Sequence, residues 1–297
     1  MIPEQTGSAF LDYVGQHHAR LLEQDALVRS GEGDGVHQMR VAARRMRSAL
    51  ATYRPVLAGE APAALADELR WIGGVLSPAR DAEVLQQRLD AILETQPTAL
   101  VVGRVAQRLD DELGEWSRAA RVAAETELDG EHYRRLLEDL ERFVSEPPFD
   151  ESASRSARKR LPKLLHADLA RVLKRHGVWE RTDDPAQKEH QLHQVRKAAK
   201  RLRYAAESAL PVFGERAALL AGRAEALQEL LGEHQDTVVA RRVLLKVGRH
   251  AHDAGEDAFT FGRLHALEEA RAGAIVTAYP SVLAKLPDTD LRDWLRH

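Results

Sequence analysis

The residues best suited to bind a ligand are histidine, arginine and lysine side chains that occur twice in the same order. Residues 36–55 read VHQMRVAARRMRSALATYRP, and residues 192–211 read LHQVRKAAKRLRYAAESALP. Arginine donates two parallel hydrogen bonds to a phosphate and stays charged, and histidine becomes a cation beside phosphates. The repeat therefore indicates a site for a phosphate-rich anion. Its matched pairs are His37 with His193, Arg40 with Arg196, Arg44 with Lys200, Arg45 with Arg201, and Arg47 with Arg203.

The spacing of these residues predicts a cationic stripe along one side of a helix. At 100° per residue, the side chains of His37, Arg40, Arg44 and Arg47 fall within about 80° of arc. The apolar residues of the same segment, including Met39 and Met46, fall within the adjacent arc of about 80°. The second copy repeats both stripes, and its Leu202 is apolar like Met46. We interpret the apolar residues as core and the cations as candidate ligand-binding groups.

Acidic residues are missing from both copies. Residues 36–59 and 190–206 contain no Asp or Glu and five Lys or Arg each, whereas the rest of the chain has 33 basic against 46 acidic residues. A solvated helix usually interleaves the two signs, because like charges at i and i+4 cost a few tenths of a kcal/mol. A solvated surface, or pairing with acids of other helices, is the alternative interpretation, and the duplication favours a binding site.

Two members of the repeat point away from the stripe. Arg45 and Arg201 lie about 80° from the histidines around their helices. A second alignment, of VLSPARDAEV at 75–84 with LLGEHQDTVV at 230–239, pairs Asp81 with Asp236. These carboxylates are candidate partners of the two arginines, which would make them structural braces.

Composition limits the class of protein. The 297 residues carry 30% charged and 44% hydrophobic side chains with a net charge of −3, which is typical of a folded globular chain and not of a uniformly basic one. Without cysteine, the chain has no disulfide or thiolate metal site. The first residues do not resemble a signal peptide, and no apolar run approaches the roughly 18 residues of a membrane span. We expect a soluble cytoplasmic protein that does not contact membranes.

Helical periodicity extends over almost the whole chain, so the predicted fold class is all-α. The Pro- and Ser-containing segment Ser145–Ser156 is the best internal boundary. Together with the repeat, it predicts two related helical halves, residues 1–150 and 151–297. The pattern predicts a helix to about Leu57 after the spacer Gly31–Gly35. It also predicts helices over about 100–127, 189–210, 217–231 and 235–255.

Other motifs do not support a cofactor, metal or catalytic site. The GEGDG of residues 31–35 lacks the preceding strand and the Lys-Ser/Thr of a phosphate loop, and its Glu32 and Asp34 would repel phosphate. The histidine pairs His190/His193 and His250/His252 lack a carboxylate-supported metal motif. No nucleophile elbow or Ser/His/Asp signature stands out. We therefore expect a binding protein without cofactor, not an enzyme.

The assembled motifs resemble the CHAD domain, the conserved histidine α-helical domain. The resemblance rests on VHQMRVAARRMRSAL, LRWIGGVLSPARDAEVL, LHQVRKAAKRLRYAAE and LQELLGEHQD, spread from about residue 10 to residue 250. It implies two four-helix bundles related by pseudo-twofold symmetry, around a basic cavity that binds inorganic polyphosphate without catalysis. In some members it also implies association with polyphosphate granules.

Many members carry a fused triphosphate-tunnel domain with paired Glu strands. This chain shows no such strands, so the resemblance is to a stand-alone member without triphosphatase activity. The polyphosphate-binding candidates that it implies are His37, Arg40, Arg44, Arg47, His193, Arg196, Lys200 and Arg203, then Arg45, Lys197 and Arg201, and finally Arg80, Arg158 and Lys163.

Two other kinds of partner remain open. A cationic groove also accepts nucleic acid, although the stripes lack interleaved aromatic residues for base stacking and the acidic remainder would repel long duplexes. The stripes could alternatively dock an acidic protein on a helical scaffold. We predict polyphosphate as the ligand, with nucleic acid second.

Overall fold

The computed structural model describes residues 2–29, 35–286 and 289–296 of the chain. Within them the secondary structure is helical, apart from two isolated antiparallel bridges, Gln5 with Ser156 and Leu57 with Phe149. This confirms the all-α prediction. The α-helices are α1 (Thr6–Arg29), α2 (Gly35–Thr52), α3 (Ala61–Val75), α4 (Ser77–Glu94), α5 (Val105–Leu128), α6 (Glu131–Ser145), α7 (Ala157–Glu180), α8 (Pro185–Ser208), α9 (Leu210–Phe213), α10 (Glu215–Asp253), α11 (Phe259–Ala284) and α12 (Thr289–Arg296).

Helix ends differ from the predicted ones for local reasons. α2 ends at Thr52, and a 3₁₀ turn over Arg54–Val56 follows, with Pro55 near its start. α5 begins only at Val105, because Gly103 adopts a left-handed conformation with φ of 81° that breaks the helical path. α8 begins four residues earlier than predicted, where the Asp184 side chain caps it by accepting a hydrogen bond of 2.9 Å from the amide of Gln187.

The predicted break between residues 231 and 235 was wrong, because α10 is one continuous helix of 39 residues. A glycine inside a helix costs only about 1 kcal/mol relative to alanine. Apolar side chains on both sides of Gly232, such as those of Leu231 and Val238, are buried. Their burial outweighs the cost of the glycine, so the helix continues through it.

The chain divides into two compact units. The first comprises Met1–Gly74, Asp129–Leu231 and Ser281–His297. Its core contains the apolar stripes of the two repeat helices, so the prediction of core positions is confirmed: Met39, Met46 and Leu202 are each 0% exposed. The hydroxyl groups of Tyr53 and Ser208 hydrogen-bond at 2.9 Å within the same core.

The second unit comprises Val75–Leu128 and Gly232–Pro280. Its core is built by α4 and α5 with the corresponding parts of α10 and α11, through buried side chains such as those of Leu89, Leu109 and Leu244. A buried ion pair joins Arg88 to Glu268 at 2.9 Å in this unit. Because Glu268 is only 1% exposed, its carboxylate has lost its hydration, and the positive charge of Arg88 compensates for that loss.

Each compact unit therefore draws segments from both sides of residue 150. The prediction of two related halves, residues 1–150 and 151–297, concerns duplication of the sequence. The division into compact units does not test duplication, so the halves stay a prediction. The same holds for the two four-helix bundles. The boundary segment lies between α6 and α7 and contains a 3₁₀ turn over Glu151–Ser154. Residues 31–34 of the spacer lie outside the described residues. No helix in the described ranges is both long and apolar enough to cross a membrane.

Candidate polyanion-binding cleft

One cleft of the first unit collects cations from both repeat helices. It has a volume of about 470 Å³ and lies between α2, α3 and α8, with the 3₁₀ turn after α2 at its edge. We call it the basic cleft. Its lining residues are Arg44, Arg47, Ser48, Leu50, Ala51, Arg54, Pro62, Ala63, Ala66, Arg70, Lys197, Lys200, Arg201 and Tyr204.

The lining is strongly unbalanced in charge. Seven of its residues are Arg or Lys, and within the described part of the chain none of the lining residues is Asp or Glu. The protein as a whole is slightly acidic, so the cations are concentrated here by the fold. A concave surface lined by one sign of charge focuses its field into the cleft and raises the local concentration of counter-ions. The basic cleft is therefore suited to an anion with several charges.

The two copies of the repeat contact each other in a reciprocal way. Arg45 pairs with Glu207 at 3.1 Å, and Arg201 donates a hydrogen bond of 2.7 Å to the carbonyl oxygen of Ala51. In the repeat alignment Arg45 corresponds to Arg201, and Ala51 corresponds to Glu207. Exchange of the two copies thus converts one contact into the other. The matched arginines hold α2 and α8 together, and Arg201 also lines the cleft.

Neutral hydrogen-bond acceptors orient two of the cleft arginines. Arg44 Nε donates to the Tyr204 hydroxyl at 2.9 Å. Arg54 donates to the carbonyl oxygens of Leu57 at 2.5 Å and Gly59 at 3.0 Å. Because these partners carry no charge, they fix the side chains without cancelling the positive charge. The remaining N–H groups stay available for an acceptor in the cleft.

Arg47 shows how little the cations of the cleft are compensated. Burial, and then the charges of Arg70 and Arg44, lower the pKa of Arg47 below its usual range. No carboxylate among the described residues lies within ion-pair distance of it. The neighbouring Tyr204 raises this pKa and offsets only part of the decrease. A half-buried guanidinium beside two other cations destabilises the empty cleft, and a bound anion would relieve that repulsion.

Arg201 connects the cleft to a buried carboxylate on α7. Its Nε lies 2.6 Å from Asp168 Oδ1, and Thr52 Oγ1 donates a hydrogen bond of 2.6 Å to Asp168 Oδ2. Asp168 is 1% exposed, so both contacts compensate for its lost hydration. Burial lowers the pKa of Arg201, and the charge of Asp168 partly offsets this effect. Asp168 therefore anchors Arg201 at the wall of the cleft.

The structure brings together five of the predicted candidates. Arg44, Arg47, Lys197, Lys200 and Arg201 line the basic cleft, which draws on α2 from Arg44 onward and on α8 from Lys197 onward. Four other residues of the cationic stripes are half-buried on the preceding turns, outside the lining of this cleft. They are His37, Arg40, His193 and Arg196.

Other candidates pair with carboxylates or lie elsewhere. Arg45 pairs with Glu207, and Arg203 pairs with both Glu207 at 2.8 Å and Glu225 at 2.7 Å. Arg45 therefore pairs with Glu207, and Arg201 pairs with Asp168. The sequence had suggested Asp81 and Asp236 as their partners, and that prediction was wrong. In the second unit, Arg80 pairs with Glu83 at 3.3 Å. Arg158 and Lys163 are exposed on α7.

Sequence reasoning missed three contributors to the cleft. Arg54 lies in the acid-free window and could have been included, because that window was the signal for an anion site. Arg70 of α3 gave no such signal, since Asp67 and Glu68 precede it and the repeat does not include it. Its ion pair with Asp67 is an exposed i,i+3 contact, which contributes little. Tyr204 is an isolated aromatic residue in the second copy, and only the structure shows that it positions Arg44.

A histidine outside the repeat lies beside the paired arginine. Burial, and then the charge of Arg45, lower the pKa of His17 to about 4. His17 is therefore neutral at physiological pH and adds no charge near the cleft. Within the described ranges, no group of three or more His, Asp or Glu side chains could hold a metal ion.

Known proteins resemble this chain over most of its length. A family model described as the CHAD domain matches residues 12–245. Uncharacterized protein MT2285 of Mycobacterium tuberculosis (strain CDC 1551 / Oshkosh) is 37% identical over 258 residues, covering 86% of this chain and 48% of that protein. Uncharacterized protein Rv2226 of strain ATCC 25618 / H37Rv matches with the same identity and coverage. The chain thus spans about half the length of the curated relatives it matches.

Solved structures share the fold. PptA from Streptomyces chartreusis superimposes with a TM-score of 0.78 at 20% identity, covering 94% of this chain and 99% of that one. The CHAD domain from the plant Ricinus communis superimposes with a TM-score of 0.67 at 26% identity, covering 99% and 93%. The family model covers well over half of the chain, and the predicted resemblance is confirmed: the chain belongs to the CHAD domain family.

Proposed function

We propose that this protein binds inorganic polyphosphate in the basic cleft without cleaving it. The observation that carries the proposal is the lining itself, seven Lys or Arg side chains without an acidic residue among the described lining residues. A single monovalent anion would leave most of this charge uncompensated. A polymer with a negative charge on every phosphoryl unit would neutralise it throughout the cleft.

The cations are of the type that suits phosphate. Five of the seven are arginines, whose planar guanidinium groups donate paired hydrogen bonds to phosphate oxygens. Arg44 and Arg54 are held in place by the Tyr204 hydroxyl and by backbone carbonyls before a ligand arrives. Such preorganisation reduces the side-chain entropy that binding would otherwise cost. The lysines add positive charges on flexible side chains, which can follow the position of the polyphosphate chain.

Nucleic acid is the second candidate, and the lining makes it a weaker one. Single-strand binding proteins stack bases on aromatic rings that interleave with their cations. Among the described lining residues the only aromatic one is Tyr204, which is 4% exposed and whose hydroxyl accepts a hydrogen bond from Arg44. A cleft without a stacking platform recognises the phosphate backbone alone. Polyphosphate supplies that backbone at higher charge density, without bases to accommodate.

Binding without cleavage is supported by the chemistry of the lining. Arginine and lysine hold phosphate, whereas proton transfer at neutral pH is usually performed by histidine or a carboxylate. Neither type occurs among the described lining residues. A protein that holds polyphosphate intact would collect where the polymer is concentrated. We therefore include a cytoplasmic location and association with polyphosphate granules in the proposal.

Competitive calorimetry tests this function. Long-chain polyphosphate should bind with submicromolar affinity that falls steeply with salt, and single-stranded DNA or RNA at equal phosphate concentration should compete poorly. The variant Arg44→Glu with Lys200→Glu should abolish binding. A matched control, Arg20→Glu with Arg142→Glu, changes the net charge equally at exposed sites on α1 and α6. Equal competition by single-stranded DNA, or equal loss in both variants, would exclude the proposed site and ligand.

A further inference from the structure

A second group of cations lies on the outside of α7. Six of its Lys and Arg side chains are exposed, and we call them the α7 face. The acidic residues of α7 are Asp168, which is buried, and Glu180, which lies at the end of the helix and pairs with His176 at 3.3 Å. The α7 face consists of Arg158, Lys159, Lys163, Arg171, Lys174 and Arg175.

The lysines of this face form a row. At 100° per residue, Lys159, Lys163 and Lys174 lie within about 60° of arc, and the row is roughly 22 Å long at 1.5 Å per residue. No carboxylate of the described residues pairs with any of the three. An exposed helix face of this length normally carries acids at i+4 to its lysines. The α7 face therefore keeps a one-sided positive charge.

The duplication does not account for the row. The helices α1 and α7, which precede the two repeat helices, are both 24 residues long, and aligned from their first residues they place Ser8, Asp12 and Glu23 at the positions of Lys159, Lys163 and Lys174. These three residues of α1 are exposed, and none of them is a cation, so the matching face of the first copy has no row of lysines. The symmetric contacts between α2 and α8 do not require these lysines. Their charge needs a separate explanation.

Arg171 lies between the lysine row and the side of α7 that packs against the wall of the basic cleft, about 60° around the helix from Lys174 and about 60° from Asp168. α7 and α8 are consecutive helices joined by residues 181–184, and such a pair packs antiparallel. Asp168 on α7 lies opposite Arg201 on α8 at 2.6 Å, and Arg171 Nε lies 3.6 Å from the same carboxylate. One turn before Arg201, the exposed Lys197 lines the cleft. The antiparallel register places Lys197 level with the stretch of α7 that carries Arg171 and Lys174.

We propose that the α7 face is a second binding surface for the same polyanion and holds the part of a long polyphosphate chain that extends out of the basic cleft. The inference rests on the proposed function of the cleft. A flexible linear polyanion fits both surfaces, because it can bend from a concave site onto an exposed row of cations. A chain short enough to lie within the cleft does not reach the row. The α7 face thereby gives the protein a preference for long chains.

The test compares two ligand lengths in one protein. The variant Lys159→Gln, Lys163→Gln, Lys174→Gln removes three charges while keeping residues that favour helix. Its control, Arg20→Gln, Arg134→Gln, Arg142→Gln, removes three charges from exposed i,i+3 and i,i+4 ion pairs on α1 and α6. The ligands are tripolyphosphate and long-chain polyphosphate, each titrated at several salt concentrations.

We expect the α7 variant to bind long-chain polyphosphate at least about ten-fold more weakly than the control, with a salt slope smaller by about 2, as three lost phosphate contacts imply. Its affinity for tripolyphosphate should change less than about two-fold. Long-chain affinity equal to that of the control overturns the inference and leaves the cleft proposal standing. Wild-type protein that binds neither ligand overturns both proposals.

Lysine footprinting gives a readout without substitutions. Long-chain polyphosphate should protect Lys159, Lys163 and Lys174 from acetylation, whereas tripolyphosphate should leave them reactive. Lys246 in the second unit, with 62% of its side chain exposed, serves as the unprotected control. Equal reactivity of the α7 lysines with and without the long chain contradicts the inference. Protection of these lysines by duplex DNA but not by polyphosphate would assign the α7 face to another partner and would also overturn the inference.

Discussion

Replacing Arg44 and Arg47 together by glutamine should weaken polyphosphate binding and flatten its dependence on salt. Both residues line the basic cleft on successive turns of one side of α2. Glutamine keeps the helix propensity and removes the charge. Neither residue forms an ion pair with a carboxylate of the described residues, so the substitution breaks no salt bridge that holds the fold together.

The magnitude follows from the number of cations. A hydrogen bond to a charged group contributes about 1.5 to 3 kcal/mol. Neighbouring contacts are not additive, so we expect a total loss of about 3 kcal/mol, or roughly 100-fold in Kd. If each neutralised phosphate contributes about 0.7 to the salt slope, as in single-stranded nucleic acid, seven cations give a slope near −5 and five give about −3.5.

The assay is a titration of long-chain polyphosphate at NaCl concentrations between about 50 and about 200 mM. Arg134→Gln with Arg142→Gln is the control, because it removes the same charge from exposed positions on α6. Circular dichroism should show unchanged helix content in all proteins. A slope identical to that of the wild type, or an equal change in the control, would refute the reasoning that the cleft cations contact phosphate directly.

Three further predictions concern the surroundings of the cleft. Arg47→Met should weaken ligand binding yet raise the unfolding free energy of the empty protein by about 0.5 kcal/mol, because burial and neighbouring cations lower the pKa of Arg47; a lower melting temperature would contradict this. Asp168→Asn should cost about 3 kcal/mol in urea unfolding, since it leaves Arg201 partly buried opposite a neutral side chain, and unchanged stability would show that the pair is dispensable. The pKa of His17 is about 4 in the folded protein and near 6.5 when exposed, so the unfolded state binds the extra proton and stability falls as pH drops between these values. Between pH 7 and pH 4.5, His17→Gln should lose about 2 to 3 kcal/mol less unfolding free energy than the wild type. An equal loss of unfolding free energy in the variant and the wild type would exclude burial of a neutral histidine.

The stripes of α2 and α8 were predictable because helix geometry is local. Once a segment is helical, the spacing of its residues determines which side chains share a face. Met39, Met46 and Leu202 are buried as their spacing indicates, and Arg44 and Lys200 share the cleft as their matched positions suggest. The sequence also indicates the type of ligand, because the absence of acids in both windows does not depend on the packing.

Helix ends and continuity were less predictable, because small local costs compete with packing. Gly232 is a typical signal of a helix end, and burial of apolar side chains on both sides of it outweighs its cost in α10. Gly103, by contrast, does interrupt the helical path through its positive φ. The sequence presents both as glycines between helical segments. Only their surroundings distinguish them.

The sequence by itself determined the all-α fold, the two amphipathic repeat helices and the concentration of positive charge on them. Only the tertiary structure decided which cations face a common space. It paired Arg203 with Glu207 and Glu225, anchored Arg201 on Asp168, and added Arg70 of α3 to the cleft. These choices depend on contacts between residues far apart in the chain. Helix periodicity fixes the direction of a side chain relative to its own axis, and packing between helices fixes what lies in that direction.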